Sequence, residues 1–287
     1  MINFTKMHGL GNDYIYIDLL NDKNIIAHED FPRLARYLCN RHFGVGADGV
    51  IFIDKRNVAD FKMNVYNQDG TEAQMCGNGI RCFAKYVYEN KLTNKKNMNV
   101  ETISGIKQVY LRTQKEQVVE VTVCMGVPIL DIENLKKIGF ISNNVNDKII
   151  IHENNMKFDA IPVSIGNPHA VVFVGKVDDF NVNRYGKLIE NNNFFPERTN
   201  VEFVQLIDRS HIKMRVWERG TGETFACGTG ACAVLAVCAS KGFTRRQATV
   251  NLKGGDLQIN WNFQDNNIYM TGIATKVFEG RINYLFK

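Results

Sequence analysis

The sequence lacks three features that would assign it to a membrane or to nucleic acid. No apolar run approaches the roughly 18 residues that predict a membrane-spanning helix, and residues 1–6 have no apolar core of signal-peptide type. The 35 Lys and Arg residues are scattered rather than gathered into a basic stripe, so the net charge of +5 does not indicate nucleic-acid binding. We therefore expect a cytoplasmic protein that binds neither a membrane nor nucleic acid.

The cysteine pattern excludes further classes. Seven cysteines are an odd number, and without a secretion signal they predict reduced thiols rather than a disulfide scaffold. No C-x-x-C occurs, the spacings match no common zinc pattern, and no histidine lies close in sequence to the cysteines at 76, 82, 227, 232 and 238. We predict no metal. The glycine-rich stretch 44–49 lacks the Lys and Ser or Thr of a phosphate-binding loop, so it is not a nucleotide site.

One stretch occurs twice. Residues 62–79 and 213–230 align without a gap, since 213 minus 62 and 227 minus 76 both give 151, and seven of these eighteen positions are identical. Each copy is typical of a strand, a polar loop and then a helix that begins after a cysteine, Cys76 or Cys227. A fixed offset over such a window indicates an internal duplication.

The 287 residues suit two domains of roughly 150 residues each, and residues 125–128 break the strand pattern between them. The first helix, 80–89, carries Arg81 and Lys85 on one side, whereas residues 231–239 are apolar on every face. Because a helix of that kind must be buried all round, we predict an α+β fold in which each domain is a curved, mostly antiparallel sheet wrapped around a central helix.

The position of Cys76 and Cys227 has a chemical consequence. A helix N-terminus presents unpaired N–H groups that attract a carboxylate, and it lowers the pKa of a nearby thiol. We expect the two loops to hold one α-carboxylate and to place a thiol on each face of the adjacent carbon. Such an arrangement suits inversion at that carbon, in which one thiolate removes a proton, the opposite thiol returns one, and no cofactor is required.

The chain resembles the diaminopimelate epimerase family from end to end. The resemblance is carried by residues 8–13, 76–82, 166–169 and 218–232. It implies an isomerase, independent of cofactors, that interconverts LL- and meso-diaminopimelate in lysine and peptidoglycan-precursor synthesis, commonly as a homodimer. It also implies that residues 275–287 return to the first domain, which gives domains of 1–125 with 275–287 and of 126–274.

The resemblance implies a role for each matching residue. Cys76 and Cys227 are the two acid/base thiols, while Glu218 contacts the substrate amino group and, with His169, tunes the thiols. The α-carboxylate cradle comprises Gly77, Asn78, Gly228 and Thr229. The substrate, chiefly its distal end, is read by Asn12, Asn67, Asn167, Asn200 and Arg219. Some members carry glutamine where Gly49 stands, so that contact is absent here.

Three alternatives stay open. A proline racemase shares the layout but typically has histidine at the position of Asn78 and needs no arginine for a distal carboxylate, and the related phenazine-type isomerases lack the cysteine pair. A binding module for a small amino acid has no use for two thiols at helix ends. A dithiol redox sensor needs neither the asparagines nor Arg219.

Overall fold

The computed structural model describes residues 1–21, 26–55, 58–73, 76–145, 149–153 and 156–283. They form two compact units. Unit 1 comprises Met1–Val123 together with the stretch from Gly272 onward, and unit 2 comprises Cys124–Thr271.

Unit 1 is a sheet with two α-helices and one short 3-10 helix, His28–Asp30, in the part that the structure describes. Its strands are β1 (Ile2–Gly9), β2 (Asn12–Asp18), β3 (Gly49–Asp54), β4 (Phe61–Asn67), β5 (Glu72–Ala73), β6 (Asn97–Thr102), β7 (Gly105–Gln114), β8 (Gln117–Gly126) and β18 (Thr275–Ile282), and its helices are α1 (Phe31–Cys39) and α2 (Gly77–Glu89). The pairs β18–β1, β1–β2, β3–β4, β4–β5, β6–β7 and β7–β8 are antiparallel. The pairs β2–β3 and β4–β6 are parallel.

Unit 2 repeats this order of pairings. Its strands are β9 (Ile149–Glu153), β10 (Met156–Ser164), β11 (Pro168–Phe173), β12 (Asn200–Leu206), β13 (His211–Glu218), β14 (Gly222–Thr224), β15 (Gln247–Leu252), β16 (Gly255–Trp261) and β17 (Ile268–Gly272), and its helices are α3 (Ile132–Lys137), α4 (Val182–Glu190) and α5 (Gly228–Ser240). The pairs β9–β10, β10–β11, β12–β13, β13–β14, β15–β16 and β16–β17 are antiparallel. The pairs β11–β12 and β13–β15 are parallel.

The duplication extends to the register of single residues. Ile51 on β3 lies opposite Val65 on β4, and Glu202 on β12 lies opposite Val216 on β13. Both members of the second pair are 151 residues beyond those of the first, the offset read from the sequence. The prediction of an α+β fold made of two duplicated sheet-and-helix units is therefore confirmed.

The helix that follows each cysteine lies against the sheet of its own unit. Helix α5 packs against β10, β11, β12, β15 and β16, and every residue from Gly230 to Cys238 is buried. Helix α2 packs against β1, β2, β3 and β7, and it is buried from Gly77 to Ala84. The expectation from the apolar stretch 231–239 is thus confirmed, since a helix without a polar face is stable in water only when it is covered on all sides.

Outer helices cover part of each sheet. In unit 1, Phe31 of α1 stacks on Phe52 of β3 with ring centroids 3.8 Å apart. In unit 2, α4 lies against β12, β13 and β14. Its Gly186 faces Trp217, whose indole N–H donates to the Glu190 carboxylate at 2.7 Å. Packing at Gly186 therefore positions the end of β13, where Glu218 stands.

We expect Gly186→Ala to destabilise the protein. A Cβ at residue 186 would lie 2.5 Å from two carbons of Trp217. Overpacking costs roughly 1–3 kcal/mol, against about 1 kcal/mol gained in helix propensity. The net loss of up to about 2 kcal/mol lowers Tm by up to about 8 °C in calorimetry. Gly175→Ala is the matched control, because no atom lies within 4 Å of its Cβ position. Equal Tm values for the two variants would contradict the packing argument.

Candidate functional site

Cys76 and Cys227 occupy the same structural position in their units. Each is the N-cap residue of the central helix, with φ, ψ of −131°, 113° at Cys76 and −119°, 113° at Cys227. The sulfur of Cys76 accepts the Gly79 N–H at 3.2 Å, and that of Cys227 accepts the Gly230 N–H at 3.4 Å. Each thiol thus satisfies one of the unpaired N–H groups at a helix start. The prediction that both cysteines lie at helix N-termini is confirmed.

Around Cys76 the structure gathers two of the predicted asparagines. The Asn12 side-chain oxygen accepts from the Cys76 thiol at 3.5 Å and from the Asn78 amide nitrogen at 3.3 Å. Gly77 and Asn78 form the first turn of α2 and are buried. Asn67 lies at the end of β4, where its amide donates to the Thr71 hydroxyl at 3.0 Å. Its predicted contact with substrate remains a hypothesis.

Asp48 fixes the orientation of the Asn12 amide. The Asp48 carboxylate accepts from the Asn12 amide nitrogen at 2.7 Å and from the Asp13 N–H at 3.1 Å. The Arg41 guanidinium links Asp48 and Asp13 at 2.8 and 2.9 Å. Burial and the Asp13 carboxylate raise the pKa of Asp48. Because an ionised carboxylate only accepts hydrogen bonds, the Asn12 nitrogen faces Asp48 and its oxygen faces Cys76. Sequence analysis did not identify Asp48.

We expect Asp48→Ala to lower kcat by roughly tenfold while KM changes less, because it releases the Asn12 amide to rotate and costs a charge-assisted hydrogen bond worth about 1.5–3 kcal/mol. Steady-state kinetics with Tm as a folding check measure this effect. Asp178→Ala removes an exposed carboxylate that pairs with Lys213, and it is expected to leave kcat unchanged. A normal kcat in the folded Asp48→Ala variant would show that Asn12 is held by other means.

Arg81 is a second residue whose importance the sequence did not reveal. Its side chain is fully buried, although the sequence placed it on the same side of the helix as Lys85. The guanidinium donates to the Asn78 side-chain oxygen at 2.9 Å and to the Gly77 and Ile273 carbonyl oxygens at 3.1 and 3.4 Å. It therefore braces the first turn of α2, while Cys232 stands at the equivalent position of α5.

Around Cys227 the structure gathers a chain of polar groups. The Thr229 hydroxyl lies 3.4 Å from the Cys227 sulfur, and the Asn167 amide nitrogen donates to that hydroxyl at 3.4 Å. The Asn167 oxygen lies 2.9 Å from Nε2 of His169, whose Nδ1 lies 2.7 Å from the Glu202 carboxylate. His169 and Glu202 have fully buried side chains. Four of these residues were predicted from the sequence, and Glu202 was not.

Asn200 braces the turn that carries Arg219. Its amide nitrogen donates to the Pro168 carbonyl at 2.9 Å, and its oxygen accepts the Arg219 backbone N–H at 2.9 Å. In the same turn the Glu190 carboxylate accepts the Gly220 N–H at 2.8 Å. The Asn200 side chain is buried, and both its amide nitrogen and its amide oxygen are hydrogen-bonded to backbone groups. The structure therefore gives it a positioning role in addition to the binding role that the resemblance implies.

Glu218 and Arg219 stand at the end of β13 and in the turn that follows it. The Glu218 carboxylate accepts from the Thr224 hydroxyl at 2.5 Å. The Arg219 guanidinium donates to the Glu197 carbonyl at 2.9 Å. Both side chains belong to half-buried residues, so they are held by the protein while remaining accessible to a small molecule.

The expected lowering of the thiol pKa is wrong for Cys227. Burial raises the pKa of the Cys227 thiol well above its usual value, and the nearby Glu218 and Glu202 carboxylates raise it further. The Thr229 hydroxyl and the Gly230 N–H act in the opposite direction but do not compensate. These effects outweigh the lowering of the pKa by the helix N-terminus, because forming a desolvated thiolate beside two carboxylates costs free energy.

The described residues contain no group of three or more His, Cys, Asp or Glu side chains arranged to hold a metal ion. Among the helices that the structure describes, none has the length and apolar character needed to cross a membrane.

Solved structures with the same fold come from more than one class of protein. A phenazine biosynthesis protein of the PhzF family from Bacillus anthracis matches with a TM-score of 0.70 at 18% identity over 99% of both chains. A probable proline racemase from Agrobacterium radiobacter matches with a TM-score of 0.71 at 14% identity, over 99% of this chain and 93% of the other. At such identities the likeness defines the fold alone.

Sequence relatives define the family. The model of the diaminopimelate epimerase family matches residues 4–130 and 161–277. Diaminopimelate epimerase from Methanococcus maripaludis is 49% identical over 282 residues, which are 98% of this chain and 100% of that protein. The enzyme of the same name from Agathobacter rectalis is 48% identical over 291 residues, which cover 99% of this chain and 100% of that protein. The chain belongs to the diaminopimelate epimerase family, and it is therefore an isomerase.

Proposed function

We propose that this enzyme interconverts LL-2,6-diaminopimelate and meso-2,6-diaminopimelate without a cofactor, with Cys76 and Cys227 as its two acid/base groups. The observation that carries the proposal is the matched position of these thiols, each the N-cap of its central helix with the sulfur on a glycine N–H. An inversion that runs in both directions needs two groups of one kind, and a duplicated helix start supplies them.

In the proposed reaction one thiolate takes the α-proton, so the C–H bond breaks and a carbanion forms. The S–H bond of the other cysteine then breaks, and its thiol proton is delivered to the opposite face of the carbon. Backbone N–H groups at Gly77, Asn78, Gly228 and Thr229 hold the α-carboxylate, because helix N-termini favour anions. These N–H groups also stabilise the charge that develops as the proton leaves.

The remaining residues would recognise the substrate. Glu218 contacts its amino group and, with His169, tunes the thiols. The end that does not react is read by Asn12, Asn67, Asn167, Asn200 and Arg219. The reaction belongs to lysine and peptidoglycan-precursor biosynthesis, and we propose a cytoplasmic homodimer as its working form.

Isotope exchange tests this function. The enzyme is incubated with LL-diaminopimelate in deuterated water, and the product is analysed for deuterium at the α-carbon and for its stereochemistry. We expect meso product that carries deuterium at the inverted centre. L-Proline serves as the comparison substrate, because the proline racemase reading requires exchange with it. Exchange with proline but not with diaminopimelate would contradict the proposal, and a binding module would show neither.

A further inference from the structure

Glu202 is a buried carboxylate beneath the first turn of α5. Its side chain has no exposed surface. A Cβ at Gly230 would lie 2.7 Å from a Glu202 carboxylate oxygen, so the carboxylate packs directly on the turn whose Gly230 N–H donates to the Cys227 sulfur. Glu202 therefore lies close to Cys227 without forming part of the predicted set of residues.

A chain of polar contacts links Glu202 to Thr229 through His169 and Asn167. The Asn167 nitrogen donates to the Thr229 hydroxyl, so the Asn167 oxygen is directed at Nε2 of His169. Nδ1 of His169 lies 2.7 Å from the Glu202 carboxylate. The Glu202 carboxylate thereby keeps the His169 ring against Asn167.

The fold itself does not require a carboxylate at this position. The equivalent residue of unit 1 is Ile51, 151 residues earlier, and a Cβ at Gly79 would meet the Ile51 side chain at 2.7 Å. The second oxygen of Glu202 is buried and has no hydrogen-bond partner among the described residues. Because burying a carboxylate that is not fully paired is costly, its presence where an isoleucine serves in unit 1 points to a role in the chemistry.

We propose that Glu202 is a positioning residue for the reaction, which holds His169 against Asn167 and keeps a carboxylate beside Cys227 so that Cys227 rests as a protonated thiol. The inference rests on the proposed function, in which Cys227 is one of the two acid/base groups. The proposal gives the two thiols different surroundings. The Glu202 carboxylate packs on the turn that follows Cys227, whereas Ile51 packs on the equivalent turn of unit 1. The raised pKa of Cys227 agrees with this assignment.

Alkylation of the thiols in the absence of substrate tests the inference. Wild type and Glu202→Gln are treated with iodoacetamide at pH 8, and the rates at Cys76 and Cys227 are followed in the same sample by peptide mass spectrometry. The thiolate is the reactive form, and each unit of pKa changes its fraction about tenfold. We expect Cys227 to react about three- to tenfold faster in the variant, with Cys76 unchanged. A Cys227 rate equal to wild type, or equal acceleration of Cys76, overturns the inference.

A second variant separates charge from position. Glu202→Asp keeps the carboxylate but shortens its reach to His169. We expect Cys227 in this variant to react as slowly as in wild type, while kcat falls about tenfold and KM changes less, as general acid–base contributions are lost. Alkylation of Cys227 as fast as in Glu202→Gln, or an unchanged kcat, would count against the proposed role.

Glu101→Gln is the matched control, because Glu101 also has a buried carboxylate oxygen without a hydrogen-bond partner among the described residues, but lies on β6 of unit 1. We expect no change in kcat or in either alkylation rate, and a matching acceleration at Cys227 would show that Glu202 has no special effect. Because alkylation needs no substrate, its result bears on Glu202 alone. Failure of the wild-type enzyme to turn over diaminopimelate would instead contradict the proposed function.

Discussion

Replacement of Cys76 or of Cys227 by serine is expected to lower kcat for epimerisation by roughly 10³–10⁴-fold, the upper range for loss of one general acid or base. A serine hydroxyl is a far weaker acid than a thiol, so it is not deprotonated at neutral pH and cannot act as the base that removes the α-proton. Each variant keeps the other thiol. Either variant therefore remains competent to eliminate HF from a β-fluoro analogue of one stereoisomer, because that reaction needs a single base.

Two other cysteines provide the controls. Cys82 and Cys232 lie in the same helices and are buried. Burial raises the pKa of the Cys82 thiol to about 11, which keeps it protonated at neutral pH. We expect Cys82→Ser and Cys232→Ser to retain kcat within about threefold after correction for folded fraction, since each lies inside its helix and neither is the N-cap residue. Losses as large as those at Cys76 and Cys227 would show that the catalytic pair is wrongly assigned.

Arg219→Lys is expected to lower kcat/KM for diaminopimelate by about 10²-fold, or about 2.7 kcal/mol, mainly through KM. The guanidinium is a planar fork that binds a carboxylate through two parallel hydrogen bonds, whereas an ammonium binds as a point charge. In this enzyme the Glu197 carbonyl anchors one end of the fork, and the Arg219 N–H is fixed by Asn200. The residue is therefore held rigidly before any substrate arrives.

Steady-state kinetics with diaminopimelate and with L-lysine measure this effect. Lysine lacks the distal carboxylate, so the native enzyme should turn it over poorly. Arg246→Lys is the control for replacing an arginine by lysine. Arg246 stacks on Trp261 at 4.1 Å and has no role in the proposed site. Comparable turnover of lysine and diaminopimelate by the native enzyme would remove the basis for assigning Arg219 to that carboxylate.

The sequence predicted the features that depend on local pattern. The offset of 151 residues predicted two copies of one unit, and the apolar helix 231–239 predicted a central buried element. Both cysteines were placed at helix starts, because each precedes a glycine-rich turn and a helical pattern. These predictions needed no knowledge of which strands pair, since periodicity and repetition are visible along the chain.

The sequence did not predict features created by pairing between distant segments. Glu202 stands between Val201 and Phe203 in β12, and its partner His169 is brought beside it by the parallel pairing of β11 and β12. Asp48 meets Asn12 because β2 and β3 pair in parallel. The thiol pKa at Cys227 was wrongly predicted because it depends on burial and on two carboxylates, and neither is visible in the residues beside the cysteine.

The antiparallel pairing of β1 with β18 has a consequence for the order in which the protein is made. Ile2 lies opposite Ile282, and the register continues to His8 opposite Thr275. The strands of unit 2 all lie within one continuous segment. Since domains generally fold as units during synthesis, unit 2 has all its strands before the ribosome has made β18. Unit 1 therefore receives its last strand only after all the strands of unit 2 have been synthesised, so the sheet of the unit that contains Cys76 is completed second.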